Sequence, residues 1–101
     1  MNSIKKLVFD YLNTKDVYSV ERILEELVAE TTEDNVIRIS ELMLSEANFH
    51  EMDLVIYLEE LTSIKTEDLK TFIDTLTLRF DDQEALSALK TMSERLAKPL
   101  S

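Results

Sequence analysis

Residues 23–43, ILEELVAETTEDNVIRISELM, and residues 57–77, YLEELTSIKTEDLKTFIDTLT, are two versions of one segment. Read 34 positions apart without a gap, they share Leu24/Leu58, Glu25/Glu59, Glu26/Glu60, Leu27/Leu61, Thr32/Thr66, Glu33/Glu67, Asp34/Asp68, Ile39/Ile73 and Leu42/Leu76. The common frame, L-E-E-L-x4-T-E-D-x4-I-x2-L, has helical spacing on both sides of a short turn. A period of this length is the mark of stacked helix pairs, each burying its apolar face against the next. Stacking would also repeat negative charge along one side, setting Glu26 near Glu60 and Glu25 near Glu59. That arrangement suits a binding surface better than an active site.

Working outward from the repeat, the periodicity predicts six helices and nothing else. The first spans 4–13, with Ser3 as N-cap and Leu7, Val8, Tyr11 and Leu12 inward. The second, 17–30, follows Asp16 and buries Val20, Ile23, Leu24, Leu27 and Val28. Thr32 opens the third at Glu33, with Val36, Ile39, Met43 and Leu44 inward, and Asn48 ends it in the left-handed conformation. The fourth, 50–61, is apolar around most of its circumference and belongs at the centre. Thr66 caps the fifth, which buries Leu69, Phe72, Ile73, Leu76 and Phe80. Asp81 with Glu84 forms a capping box for the sixth, 82–97, inward at Ala85, Leu89, Met92 and Leu96. Connections this short set neighbouring helices antiparallel in a single all-α domain over 1–101.

Composition agrees. The 101 residues are 45% apolar, enough for a core, and contain no glycine, no cysteine and one proline, Pro99. Hairpins and phosphate loops need positive-φ glycines, and thiol chemistry or disulfides need cysteine. No signal peptide or membrane span is visible, so a cytoplasmic protein is expected. The net charge of −10 is uneven: residues 1–15 carry +2, residues 16–60 carry −11 with Arg22 and Arg38 as their only bases, and residues 61–101 carry −1. An acidic body repels nucleic acid and anionic membrane and attracts basic proteins.

Catalysis and cofactors find no support. A single histidine, His50, leaves no second imidazole for zinc, and no Glu-x-x-His pair exists for a di-iron site. Neighbouring glutamates on a helix diverge by roughly 100° and cannot share a substrate. No acid-rich loop surrounds a glycine to hold calcium. His50 reads as a cap or first-turn residue meeting a backbone group or Glu46. The chain is therefore expected not to be an enzyme and to hold no metal or cofactor. Glutamate on a solvated helix face is ordinary, yet thirteen acids against two bases between residues 16 and 60 leave little internal relief. Tyr18 and Tyr57 fall at the margins of their helices' wet sides, where aromatics ringed by acids serve as interface anchors. Ile56, between Asp53 and Glu60 on the wheel, is better read as covered by another helix. Leu78 lies opposite the fifth helix's apolar stripe.

The run His50-Glu51-Met52-Asp53, continued by Val55-Ile56-Tyr57-Leu58-Glu59-Glu60-Leu61, resembles the small all-helical immunity proteins of bacterial polymorphic-toxin and contact-dependent growth inhibition systems. Some of these have irregular HEAT-like repeats, and as a pattern the likeness covers residues 20–97. Tetratricopeptide repeats share the period, but their Gly/Ala packing positions and closing proline are missing here. The resemblance implies a short HEAT-like stack that occludes a toxin, commonly a nuclease. The partner would be a basic toxin domain, met by Tyr18, Glu25, Glu26, Glu30, Glu33, Asp34, Asp53, Tyr57, Glu59 and Glu60. The alternatives are an adaptor or homo-oligomeric subunit acting through apolar helix surfaces, and a small-ligand or metal-binding bundle.

Overall fold

The fold follows from where apolar side chains can be buried together. A computed structural model describes residues 3–97, and six helices account for most of them: α1 (Ser3–Asn13), α2 (Val17–Glu30), α3 (Val36–Leu44), α4 (Glu51–Glu59), α5 (Glu67–Thr77) and α6 (Gln83–Ala97). No strand occurs among the described residues. The expected Ser3 side-chain cap and Pro99 lie outside what is described. One contiguous core draws on every helix, with Val8, Leu27, Ile39, Leu54, Ile73 and Leu89 among its members. The radius of gyration, 13.2 Å, is that of a fully collapsed chain of about 100 residues.

Helix packing has a simple order. α1 lies against α2 and α3, α3 against α4 and α5, and α6 against both α4 and α5. α4 buries Leu54, Val55, Tyr57 and Leu58 along one broad face and packs mainly on α3 and α6; the central place expected for it falls to α3, which meets α1, α4 and α5. Ile56 departs from expectation: at 39% exposure it is the one large apolar side chain of α4 facing water. Ser40, the only buried polar residue besides the tyrosines among the described residues, satisfies its hydroxyl by donating to the Val36 carbonyl at 2.9 Å.

The duplicated sequence does not produce a duplicated conformation. In the first copy L-E-E-L lies inside α2; in the second it runs off the end of α4, with Glu60 as C-cap and Leu61 beyond it. The following helices also start differently, and that difference traces to Asn35, whose counterpart is the buried Leu69. Asn35 Oδ1 accepts from the Thr32 amide at 2.7 Å and its Nδ2 donates to the Glu30 carbonyl at 3.0 Å. That side chain holds residues 33–35 in a turn, so α3 starts at Val36 and not at Glu33 as expected. In the second copy Thr66 caps directly, its Oγ1 accepting from the Leu69 amide at 3.1 Å, and α5 begins at once.

Two other helix ends differ from expectation. No described residue has positive φ, so Asn48 is not a left-handed cap; α3 ends at Ser45, and the Asn48 amide instead donates to the Asn13 side chain. The cap of α6 is Asp82, one residue later than predicted, with its Oδ1 accepting from the Ala85 amide at 2.9 Å. The acceptor for the amides ahead of the helix is not Glu84 but Glu51 of α4. Its carboxylate takes Asp82 N–H at 2.8 Å and Asp81 N–H at 3.1 Å. A capping box built between two helices replaces the local one.

Candidate functional site

The acidic residues singled out in the sequence separate into two groups. Glu25, Glu26 and Glu30 are exposed on α2, and Glu33 and Asp34 are exposed in the turn that follows. Glu59 and Glu60 are exposed at the end of α4, while Asp53 is half-buried in its first turn. α2 and α4 are not among the helix pairs in extensive contact. Direct stacking therefore does not set the duplicated carboxylates in register.

The structure does bring Glu26 and Glu30 together with α1. Both line an open depression of about 510 Å³, shared with Lys6, Leu7, Asp10 and Ala29. Half-buried Leu7 and exposed Ala29 supply its apolar part, and Lys6, Asp10, Glu26 and Glu30 its charged part. Lys6 Nζ is tied to Asp10 Oδ2 at 2.9 Å. Glu26 and Glu30 are four apart on α2, where like charges cost roughly 0.2–0.5 kcal/mol. Among the described residues the only ion pairs are Lys6–Asp10 and Lys70–Asp74, so neither glutamate is relieved. Three carboxylates and one ammonium thus face one hollow.

The second group meets at Tyr11. The Tyr11 hydroxyl donates to the Asp53 carbonyl at 2.7 Å. Burial holds its ionisation far above the ordinary tyrosine range, and the negative charges of Asp53 and Glu60 push it further. One phenol thus senses both carboxylates. Burial also raises the Asp53 carboxyl above its usual value, against the pull of the His50 charge and backbone amide. His50 occupies the N-cap of α4 in extended conformation, but its imidazole makes no capping bond. The expected contact with a backbone group is therefore absent from this position.

The two aromatic anchors part company. Tyr18, near the start of α2, is 81% exposed, as an anchor must be. Tyr57 is 0% exposed and cannot be one. Its hydroxyl lies 2.7 Å from Thr31 Oγ1, and Thr31 Oγ1 lies 2.7 Å from the Leu27 carbonyl. Thr31 has a single hydroxyl proton, which the carbonyl takes, so Tyr57 donates to Thr31. The wheel placed Tyr57 at a wet margin because it could not include the end of α2 that covers it. Lys6, Leu7, Asp10 and Ala29 were not foreseen as site residues; the Lys6–Asp10 spacing was visible, but not the helix it faces.

Among the described residues no three His, Asp or Glu side chains converge so as to hold a metal ion. Compared with protein-family models, curated proteins and solved structures, the chain finds no match in any of the three.

Proposed function

We propose that this chain is a bacterial immunity protein: it binds a basic toxin domain, a nuclease, and blocks its active site through the acidic surface of α1 and α2. The observation that carries the reading is the α1–α2 depression, where Asp10, Glu26 and Glu30 face Lys6 alone. A lysine or arginine that a nuclease uses on phosphate fits such a hollow, and entry would relieve the repulsion between Glu26 and Glu30. Exposed ion pairs contribute only about 0–1 kcal/mol each, whereas desolvated pairs at a packed interface can reach several. Exposed Tyr18 supplies apolar area beside the carboxylates of α2, with Glu25, Glu33 and Asp34 steering from further out. Asp53 and Glu60 form a second acidic region near Tyr11, with Glu59 exposed at the end of α4. In this reading the protein acts in the cytoplasm and its helices form a short HEAT-like stack, supported by the contacts α1–α3–α5 and α4–α6.

A second reading, an adaptor or homo-oligomeric subunit, draws on Leu78, which is 88% exposed at the end of α5. Salt separates them. Charge-led capture of a toxin domain encoded beside this chain should slow steeply as salt screens the surface, and the chain alone should sediment as a monomer. Self-association indifferent to salt, with no protection of cells expressing the toxin domain, would favour the apolar alternative.

A further inference from the structure

In a protein of charge −10, the cleft between α1 and α3 is cationic. It holds about 280 Å³ and is lined by Ile4, Lys5, Asn35, Arg38, Ile39 and Leu42. Ile39 is buried, Ile4 and Leu42 are half-buried, and Lys5 and Arg38 are exposed. The cleft therefore has an apolar lining with two positive groups on its water side.

Neither cation is neutralised. Arg38 has Asp34 four residues before it and Glu41 three after, both at helical pairing distance in sequence, yet no carboxylate lies within ion-pair range of Arg38 or Lys5 among the described residues. Asn35 is oriented away from a primary role by its bonds to Thr32 and Glu30, which hold its amide in the turn. Two like charges bordering one cavity repel each other unless an anion sits between them. A guanidinium offers a planar fork to a carboxylate or phosphate, and an ammonium adds a point charge.

We infer that the α1–α3 cleft binds an organic anion: a carboxylate or phosphate monoester head held by Arg38 and Lys5, carrying a short apolar tail that packs on Ile4, Ile39 and Leu42. The volume lies at the small end of ligand clefts, which limits the tail to a short chain or a single branched side chain. The surrounding negative charge disfavours polyanions such as nucleic acid. A lipid-derived acid, an alkyl phosphate and the C-terminal carboxylate of a peptide ending in an aliphatic residue share this chemistry.

The test is an amide-resolved NMR titration of the full chain with hexanoate, hexyl phosphate, N-acetyl-leucine, hexan-1-ol and acetate, each to millimolar concentration. At least one of the first three should saturably shift the amides of residues 35–42, and which of them binds tightest tells the source of the head group. Hexan-1-ol and acetate should bind at least about tenfold more weakly, as expected when a charged bond or the apolar contact is lost. Arg38→Gln should weaken the best ligand by about tenfold, and Arg38→Lys by less, because it keeps the charge and loses the fork. Arg38 is exposed, and unchanged amide dispersion confirms the fold of each variant. Hexan-1-ol binding as well as hexanoate, Arg38→Gln binding like the parent, or no saturable shift with any anion would overturn the assignment.

Discussion

Tyr57 gives the sharpest test of how this core is assembled. Its ring is fully buried, and its hydroxyl donates to Thr31, which passes its own proton to the Leu27 carbonyl. Tyr57→Phe deletes one neutral hydrogen bond without orphaning a buried donor, since Thr31 keeps its bond to Leu27. The expected loss is about 0.5–1.5 kcal/mol, and each kcal/mol lowers Tm by roughly 4–8 °C in a chain of this size. Tyr57→Ala also empties the ring's volume, for about 3–5 kcal/mol, a large share of the 5–15 kcal/mol typical of a whole domain. Urea and thermal unfolding followed by circular dichroism read both values. The phenol supplies an independent check. Burial pushes its pKa up to about 12, against the opposing Thr31 bond, from 10.0 when free. The unfolded chain therefore releases this proton first, and stability falls as pH rises between those two values. Tyr57→Phe should lose less stability over that range than the parent does. A Tyr57→Ala loss below about 1 kcal/mol would mean that the ring is not in the core, and Tyr57 would return as a surface anchor.

The remaining predictions address the helix ends and the rest of the core. Glu51→Ala removes the acceptor of the Asp81 and Asp82 amides and should cost about 1 kcal/mol, below the roughly 1.5–3 kcal/mol of charged hydrogen bonds because the site is wet; Glu51→Gln, which keeps an acceptor, should cost less, and equal stability of all three proteins would refute the inter-helix cap. Asp74 is held below the usual carboxylate range by Lys70 and then by Ser93, so its contribution is present above the unfolded pKa and is lost as pH falls through the folded one. Asp74→Asn should accordingly be less stable than the parent at neutral pH, within the roughly 0–1 kcal/mol of exposed pairs, with the gap closing in acid; a gap that persists in acid would refute the ionic origin. Leu58→Ala, at a buried site in α4, should cost about 2–5 kcal/mol, and a loss below about 1 kcal/mol would deny Leu58 its place in the core.

Helix number and core faces were legible because they depend on spacing along the chain. Leu27, Ile39, Ile73, Leu89 and Met92 were each assigned inward by periodicity alone, and each is buried. What sequence could not supply was anything decided by a residue far away. Asp82 caps α6, but the amides ahead of it are taken by Glu51, some thirty residues earlier, where the local Asp81–Glu84 pattern pointed to Glu84. Tyr57 is covered by the end of α2, which no wheel of α4 contains. The repeat promised two equal units, but Asn35 bonds as a turn residue where Leu69 enters the core. The same limit applies to the candidate site. The exposed carboxylates of α2 were readable from their wet positions, whereas the hollow they share with Lys6 and Asp10 exists only once α1 packs on α2.

The central claim is that the carboxylates of this hollow receive a basic partner. Its direct test is the association rate, by stopped flow at low salt, with the proposed basic toxin domain. The comparison is between Glu26→Lys/Glu30→Lys and Glu84→Lys/Glu94→Lys, which change net charge equally at exposed positions. The account predicts that the first pair slows association by at least about tenfold and abolishes growth protection, while the second has a much smaller effect. Equal slowing by both pairs, or parent-like association of the Glu26/Glu30 variant, would contradict it.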